Sequence, residues 1–114
     1  MSELTTSTPN KVFAVGGIGP GNAFHHYTVT GADGFAVGAV HFQCGPRNVE
    51  GSTPGIFGDE LLAILQHRLE CFQSGPFACD ENAEALAAVI AAREAMARRT
   101  NARAARGVLG TNTP

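Results

Sequence analysis

The sequence predicts an α+β domain, a small N-terminal antiparallel β-sheet packed with two main C-terminal helices. Three observations point there. Residues 11–48 contain short, alternating β-type runs joined by glycine-rich turns. Residues 58–72 carry leucines at helical spacing, and residues 80–106 are rich in alanine and arginine. Between the two helical patterns stands a Gly75-Pro76 pair, which cannot continue a helix. The length, 114 residues, suits one domain spanning 1–114.

Taken in order, Met1 to Asn10 is polar, rich in Ser and Thr, and expected to be disordered. Lys11 to Val15 is a short β-type run. The cluster Gly16, Gly17, Gly19, Gly21 follows; it lacks a Gly-Lys-Ser/Thr and opens onto no helix, so it reads as a strand connection rather than a phosphate loop. Phe24 to Thr30 and Phe35 to Phe42 alternate, and Asp33-Gly34 between them is a hairpin signal. A sheet of about three strands follows from these runs, with Gly38 expected where backbone or ligand comes close.

Gln43 to Gly58 reads as a loop, and Arg47 within it is a candidate ligand contact. The first helix is expected from about Gly58 to Phe72. Asp59 and Glu60 suit its positive end, and Leu61, Leu62, Leu65, Leu69 and Phe72 form its apolar stripe. The second is expected from Asp80, read as its N-cap, to about Arg106, with Gly107 and Gly110 ending it. Phe42-Gln43-Cys44-Gly45-Pro46 and Phe72-Gln73-Ser74-Gly75-Pro76 echo one another, which suggests similar corner chemistry on different elements.

Composition narrows the function classes. Charged residues are 16% of the chain, below the roughly 25% of ordinary soluble domains. That leaves room for an interface, and a domain this small favours an oligomer. Arg93, Arg98, Arg99, Arg103 and Arg106 fall within fourteen residues, enough charge for one or two phosphates and too little for a long duplex footprint. No apolar run reaches 18 residues, so no membrane partner is expected. With no visible signal peptide, Cys44, Cys71 and Cys79 are expected as reduced thiols in a cytoplasm. The Cys and His spacings fit no compact metal signature, so neither metal nor cofactor is expected. No acid–base pair or activated nucleophile requires catalysis; the residues leave an enzyme open, and a binding role is expected.

A nucleotide-like ligand needs a ring face, amide partners and cations. Phe72 and Phe77 offer rings beside the corner, Asn82 offers a donor and an acceptor, and Arg99 and its neighbours offer planar forks for phosphate oxygens. Their ordinary alternatives are core phenylalanines, a helix-start asparagine and a solvated arginine face.

The run Leu61-Leu62-Ala63-Ile64, Arg68-Leu69, Phe72-Gln73-x-Gly75-Pro76-Phe77-x-Cys79-x-x-Asn82, Ala85-Leu86, Arg99-Thr100, Arg103 and Arg106-Gly107-Val108-x-Gly110-Thr111 resembles the phage Thoeris anti-defence family, in its first-described type. The resemblance spans about Phe57 to Thr111. It implies a sponge that sequesters a cyclic ADP-ribose isomer (glycocyclic ADP-ribose) made by bacterial TIR proteins, in the cytoplasm of an infected host, without degrading it. It also implies an N-terminal sheet with C-terminal helices, a homodimer, and in some members a hexamer built as a trimer of dimers. Some members bind cyclic oligonucleotides at separate sites. Carried over, Phe72 stacks on adenine, Asn82 hydrogen-bonds the ligand, Arg99 contacts it, Phe77 shapes the wall, and Arg103 and Arg106 serve phosphates. The alternatives are a sponge for cyclic di- or trinucleotides and a small phage nucleic-acid-binding or regulatory protein.

Overall fold

A computed structural model describes residues 2–45 and 51–111. The architecture is α+β, a four-stranded antiparallel sheet followed by two helices. Contacts divide the chain into two compact units, Met1–Ile56 with Gly110–Pro114, and Phe57–Leu109.

The first unit is a meander of β1 (Ser2–Leu4), β2 (Lys11–Val15), β3 (His26–Thr30) and β4 (Ala36–His41), in that spatial order. The strand β1 corrects the expectation of a disordered start and of three strands. Its three residues are too few to show an alternation in sequence, yet they pair with β2 from Ser2↔Ala14 to Leu4↔Val12. Ala14 thereby lies between Ser2 and Tyr27, and it is one of only two buried residues among those described. The β3–β4 hairpin turns where Asp33-Gly34 predicts it. Gly31 N–H donates to the Phe35 carbonyl, Gly34 N–H to the Gly31 carbonyl, and Phe35 N–H to the Asp33 carboxylate. Gly34 sits at φ +87°, a left-handed conformation that glycine adopts without strain. The register slips at Val29/Thr30, so Val37 is the extra residue of a β-bulge.

At the end of β4, His26 and His41 face each other across the ladder with their Nδ1 atoms 2.6 Å apart, one ring donating and the other accepting. Phe42 pairs with Ile56 in a parallel bridge, and Cys44 with Thr53 in an antiparallel one. Gln43 ties this return together, accepting from Gly55 N–H at 3.2 Å and donating to the Gly45 carbonyl. Close backbone approach falls at Gly55 rather than at Gly38. A Cβ on Gly55 would lie 2.4 Å from the Phe42 carbonyl carbon, whereas one on Gly38 would meet nothing within 4 Å, because β4 is exposed there.

The second unit is a helical hairpin of α1 (Gly58–Gln73) and α2 (Asp80–Ala105). Glu60 caps α1 by accepting from Phe57 N–H at 2.9 Å. The half-buried residues of α2, Asn82, Leu86, Val89 and Arg93, recur at helical spacing and define the face turned to α1. Arg93 clasps the pair. It donates twice to the Asp59 carboxylate, at 2.8 and 3.2 Å, and once to the Gln66 amide oxygen at 2.8 Å. Gly58 meets Met96, where an added Cβ would lie 3.3 Å from the methionine Cε. Small residues here let the helices approach closely.

Helix α2 ends in a Schellman turn. Gly107 at φ +75° follows the Arg106 cap, Gly107 N–H donates to the Ala104 carbonyl, and Val108 N–H donates to the Arg103 carbonyl. Among the described residues, no helix is long and apolar enough to cross a membrane.

Candidate functional site

The corner between α1 and α2 is built by side chains that take up the backbone groups a helix end leaves unpaired. Ser74 closes α1, its hydroxyl donating to the Cys71 carbonyl at 2.8 Å. Gly75 N–H donates to the Phe72 carbonyl, and Ala78 N–H to the Gly75 carbonyl, so the chain reverses within a few residues. Gln73 spans the corner and accepts from Cys79 N–H at 3.0 Å. Cys79, not Asp80, is the N-cap of α2. Its thiol accepts weakly from Asn82 N–H at 3.4 Å, and Asp80 falls inside the first turn. The difference is one residue. Asp80 and Glu81 keep their favourable place at the positive end of the helix dipole.

Three of the expected ligand residues meet at this corner. Phe72 and Phe77 pack edge to face, with centroids 6.0 Å apart and planes at 66°. Asn82 donates its amide to the Phe77 carbonyl at 3.1 Å, which fixes the orientation of the side chain. Phe72 is half-buried and Phe77 is 70% exposed, so a hydrophobic ring stands in solvent beside a fixed amide. Arg68 lies over the Phe72 ring, its guanidinium carbon 4.9 Å from the centroid.

The remaining candidates lie elsewhere. Arg99 is exposed on α2, seventeen residues beyond Asn82, about 25 Å along the helix axis at 1.5 Å per residue. One chain therefore cannot bring Asn82 and Arg99 to one small ligand. Arg103 is buried, 8% exposed, and donates to the Val108 carbonyl at 3.0 Å, so part of its fork closes the helix end. Arg106 is the C-cap of α2. Arg47, and the end of the expected 11–48 β region, lie outside the described residues.

Electrostatically, the pair that departs from ordinary behaviour is structural. The hydrogen bonds from Arg93 hold the Asp59 carboxyl below the usual carboxylate range, against a smaller opposing effect of burial, and Asp59 raises Arg93 in turn. Cys44, Cys71 and Cys79 are free thiols, and Cys71 Sγ lies 3.9 Å from His67 Nε2 one turn away.

Sequence reasoning placed Gln73 and Ser74 in this corner without giving either a bonding role, and it did not join Arg68 to it. A signal for the first was present. In each half of the Phe-Gln-x-Gly-Pro echo the glutamine accepts a backbone N–H from the segment that follows, Gly55 for Gln43 and Cys79 for Gln73. The shared motif is a loop-closing device on two unrelated elements.

No protein-family model matches the chain. It is 38% identical over 73 residues to a protein of Bacillus phage SBSphiJ7 named Thoeris anti-defense 1, a match covering 64% of this chain and 51% of that protein. The chain thus spans about half the length of the curated relative it matches. That match supports the resemblance to the phage Thoeris anti-defence family.

Proposed function

We propose that the protein binds and sequesters a cyclic ADP-ribose isomer, glycocyclic ADP-ribose, made by bacterial TIR proteins, and so blocks Thoeris signalling without turning the ligand over. The observation that carries this reading is the corner itself. Phe72, Phe77 and Asn82 stand in one place, a ring platform beside an oriented amide, on a chain related to Thoeris anti-defense 1. Base stacking on such a ring contributes roughly 1–3 kcal/mol. The Asn82 amide spends a donor on the Phe77 carbonyl, which aims its oxygen and remaining donor at a base or ribose edge.

The distance along α2 supports a homodimer. Because Arg99 stands about 25 Å from Asn82 on one helix, it reaches a ligand at the corner only from a second copy whose α2 runs the opposite way. A seam between two copies also encloses more of the ligand than one small chain can. The trimer-of-dimers hexamer of some relatives, and cyclic oligonucleotide binding through the exposed arginines, are the larger assembly and further ligand of the same reading. The setting proposed is the cytoplasm of the infected host.

Calorimetric titration with glycocyclic ADP-ribose tests the proposal. Nanomolar binding, with the ligand recovered chemically unchanged after heat denaturation, is expected. A hydrolysed product would replace the sponge with an enzyme. Absence of heat at micromolar protein would remove this ligand class.

A further inference from the structure

We infer that Arg68 is the corner's own phosphate-binding residue, held in place by Phe72 and completing the site from the same chain as Phe72 and Asn82. The inference rests on the nucleotide reading above and adds a residue to it. Its ligand class is any nucleotide that stacks on Phe72 while presenting a phosphoryl oxygen close to the ring.

Helix geometry fixes the pair. Arg68 and Phe72 are four residues apart on α1, so their side chains meet on one face. The guanidinium carbon lies 4.9 Å from the ring centroid, within cation–π range. That contact engages the positive charge with the ring and uses no conventional hydrogen-bond acceptor for its five N–H donors. Among the described residues no hydrogen bond or ion pair takes them, and Arg68 is exposed. The sequence explains why. The positions three and four residues away are Ile64, Leu65, Cys71 and Phe72, so α1 offers no acid at a spacing that would neutralise it.

Arg68 differs in this from the other arginines with known contacts in the hairpin. Arg93 is committed to Asp59 and Gln66, and Arg103 is buried and donates to the Val108 carbonyl. Arg98 and Arg99 are exposed but stand far along α2 from the corner. Within one chain, Arg68 is therefore the cation that joins Phe72, Phe77 and Asn82. A pre-oriented fork loses little freedom on meeting a phosphate, which is where a planar guanidinium outperforms an ammonium.

The test titrates glycocyclic ADP-ribose into the full chain and into Arg68→Gln and Arg68→Lys at several salt concentrations, with Phe72→Ala as reference. Binding by Arg68→Gln should weaken about 10- to 100-fold, with a shallower salt dependence. Arg68→Lys should fall between Arg68→Gln and wild type, because it keeps the charge and loses the fork. Far-UV circular dichroism confirms that the variants keep their helices, as expected of an exposed side chain. If wild type binds, Phe72→Ala binds more weakly, and Arg68→Gln matches wild type in affinity and salt slope, the inference about Arg68 is wrong and the sponge reading stands. If wild type fails to bind, both are overturned.

Discussion

The two units are held together by different means. In the sheet unit, order comes mainly from the backbone ladder and turns, with side-chain bonds from Asp33 and Gln43 at two of the turns. Its strands carry almost no charge, and β4 in particular has none. The hairpin unit is specified by polar side chains at fixed positions. Glu60, Gln73, Ser74 and Asn82 take up helix-end groups, Arg93 joins α1 to α2, and Arg103 closes α2. A ladder accepts many side chains, whereas a bond from Gln73 to Cys79 requires that glutamine at that position. The motifs that carry the family resemblance, from about Phe57 to Thr111, nearly coincide with the unit Phe57–Leu109, while the 73-residue match to the phage relative is longer than that unit.

The comparison can be broken at several points. The largest effect is expected where the sheet unit does depend on one residue. In Gly55→Ala the new Cβ meets the His41 and Phe42 backbone within 2.5 Å, so the return at Gln43 must move. A loss of about 3 kcal/mol is expected, read by denaturant unfolding together with amide-exchange protection of His41 to Cys44. Unchanged protection there would show that the sheet unit tolerates even this change.

Next is Phe72→Ala. Removing the ring should weaken ligand binding about 5- to 150-fold, the equivalent of roughly 1–3 kcal/mol of stacking, while the oligomer seen by light scattering stays the same. Wild-type affinity in this variant would reject the corner as the pocket. A smaller effect is expected for Arg93→Met, which removes the link between the helices but keeps apolar bulk. Its thermal midpoint should fall by less than that of Gly55→Ala, since both charged partners are partly exposed and screened. A larger fall would mean that this clasp outweighs the sheet's tightest contact.

The smallest effect is in pH. Asp59 has its folded pKa below the unfolded value, so its contribution is complete above about pH 4 and is lost as pH falls through the folded value. The difference in midpoint between wild type and Arg93→Met should therefore shrink between pH 5 and pH 2. A constant difference would show that Arg93 acts through packing rather than through the carboxylate.

Much of the fold was legible because its signals are local. The leucine period gives α1, Gly75-Pro76 gives the corner, Asp33-Gly34 gives the hairpin, and Gly107 gives the end of α2. The strand β1 was not legible, since three residues carry no period and its partner lies across a loop. At the site, Phe72, Phe77 and Asn82 could be chosen as ring and amide near one corner. Arg103 could not be separated from Arg99 by composition, because only the fold buries one and exposes the other. Arg68 carries no role in the sequence reading beyond its place in the resemblance, and its cation–π contact needed the geometry of Phe72 to be seen.

The 26 residues of α2 have a consequence of their own. A helix rises a fixed amount per residue, so this one is a gauge about 39 Å long. Exchanging one alanine for another small residue leaves the gauge unchanged. Inserting a single residue between Asn82 and Arg99 turns everything beyond it by about 100° and points Arg99 away from its former direction. With Asn82 and Arg99 in the roles proposed for them, the number of residues between them matters more than the identity of the alanines, and length variants are expected to be tolerated in the β1–β2 connection before they are tolerated here.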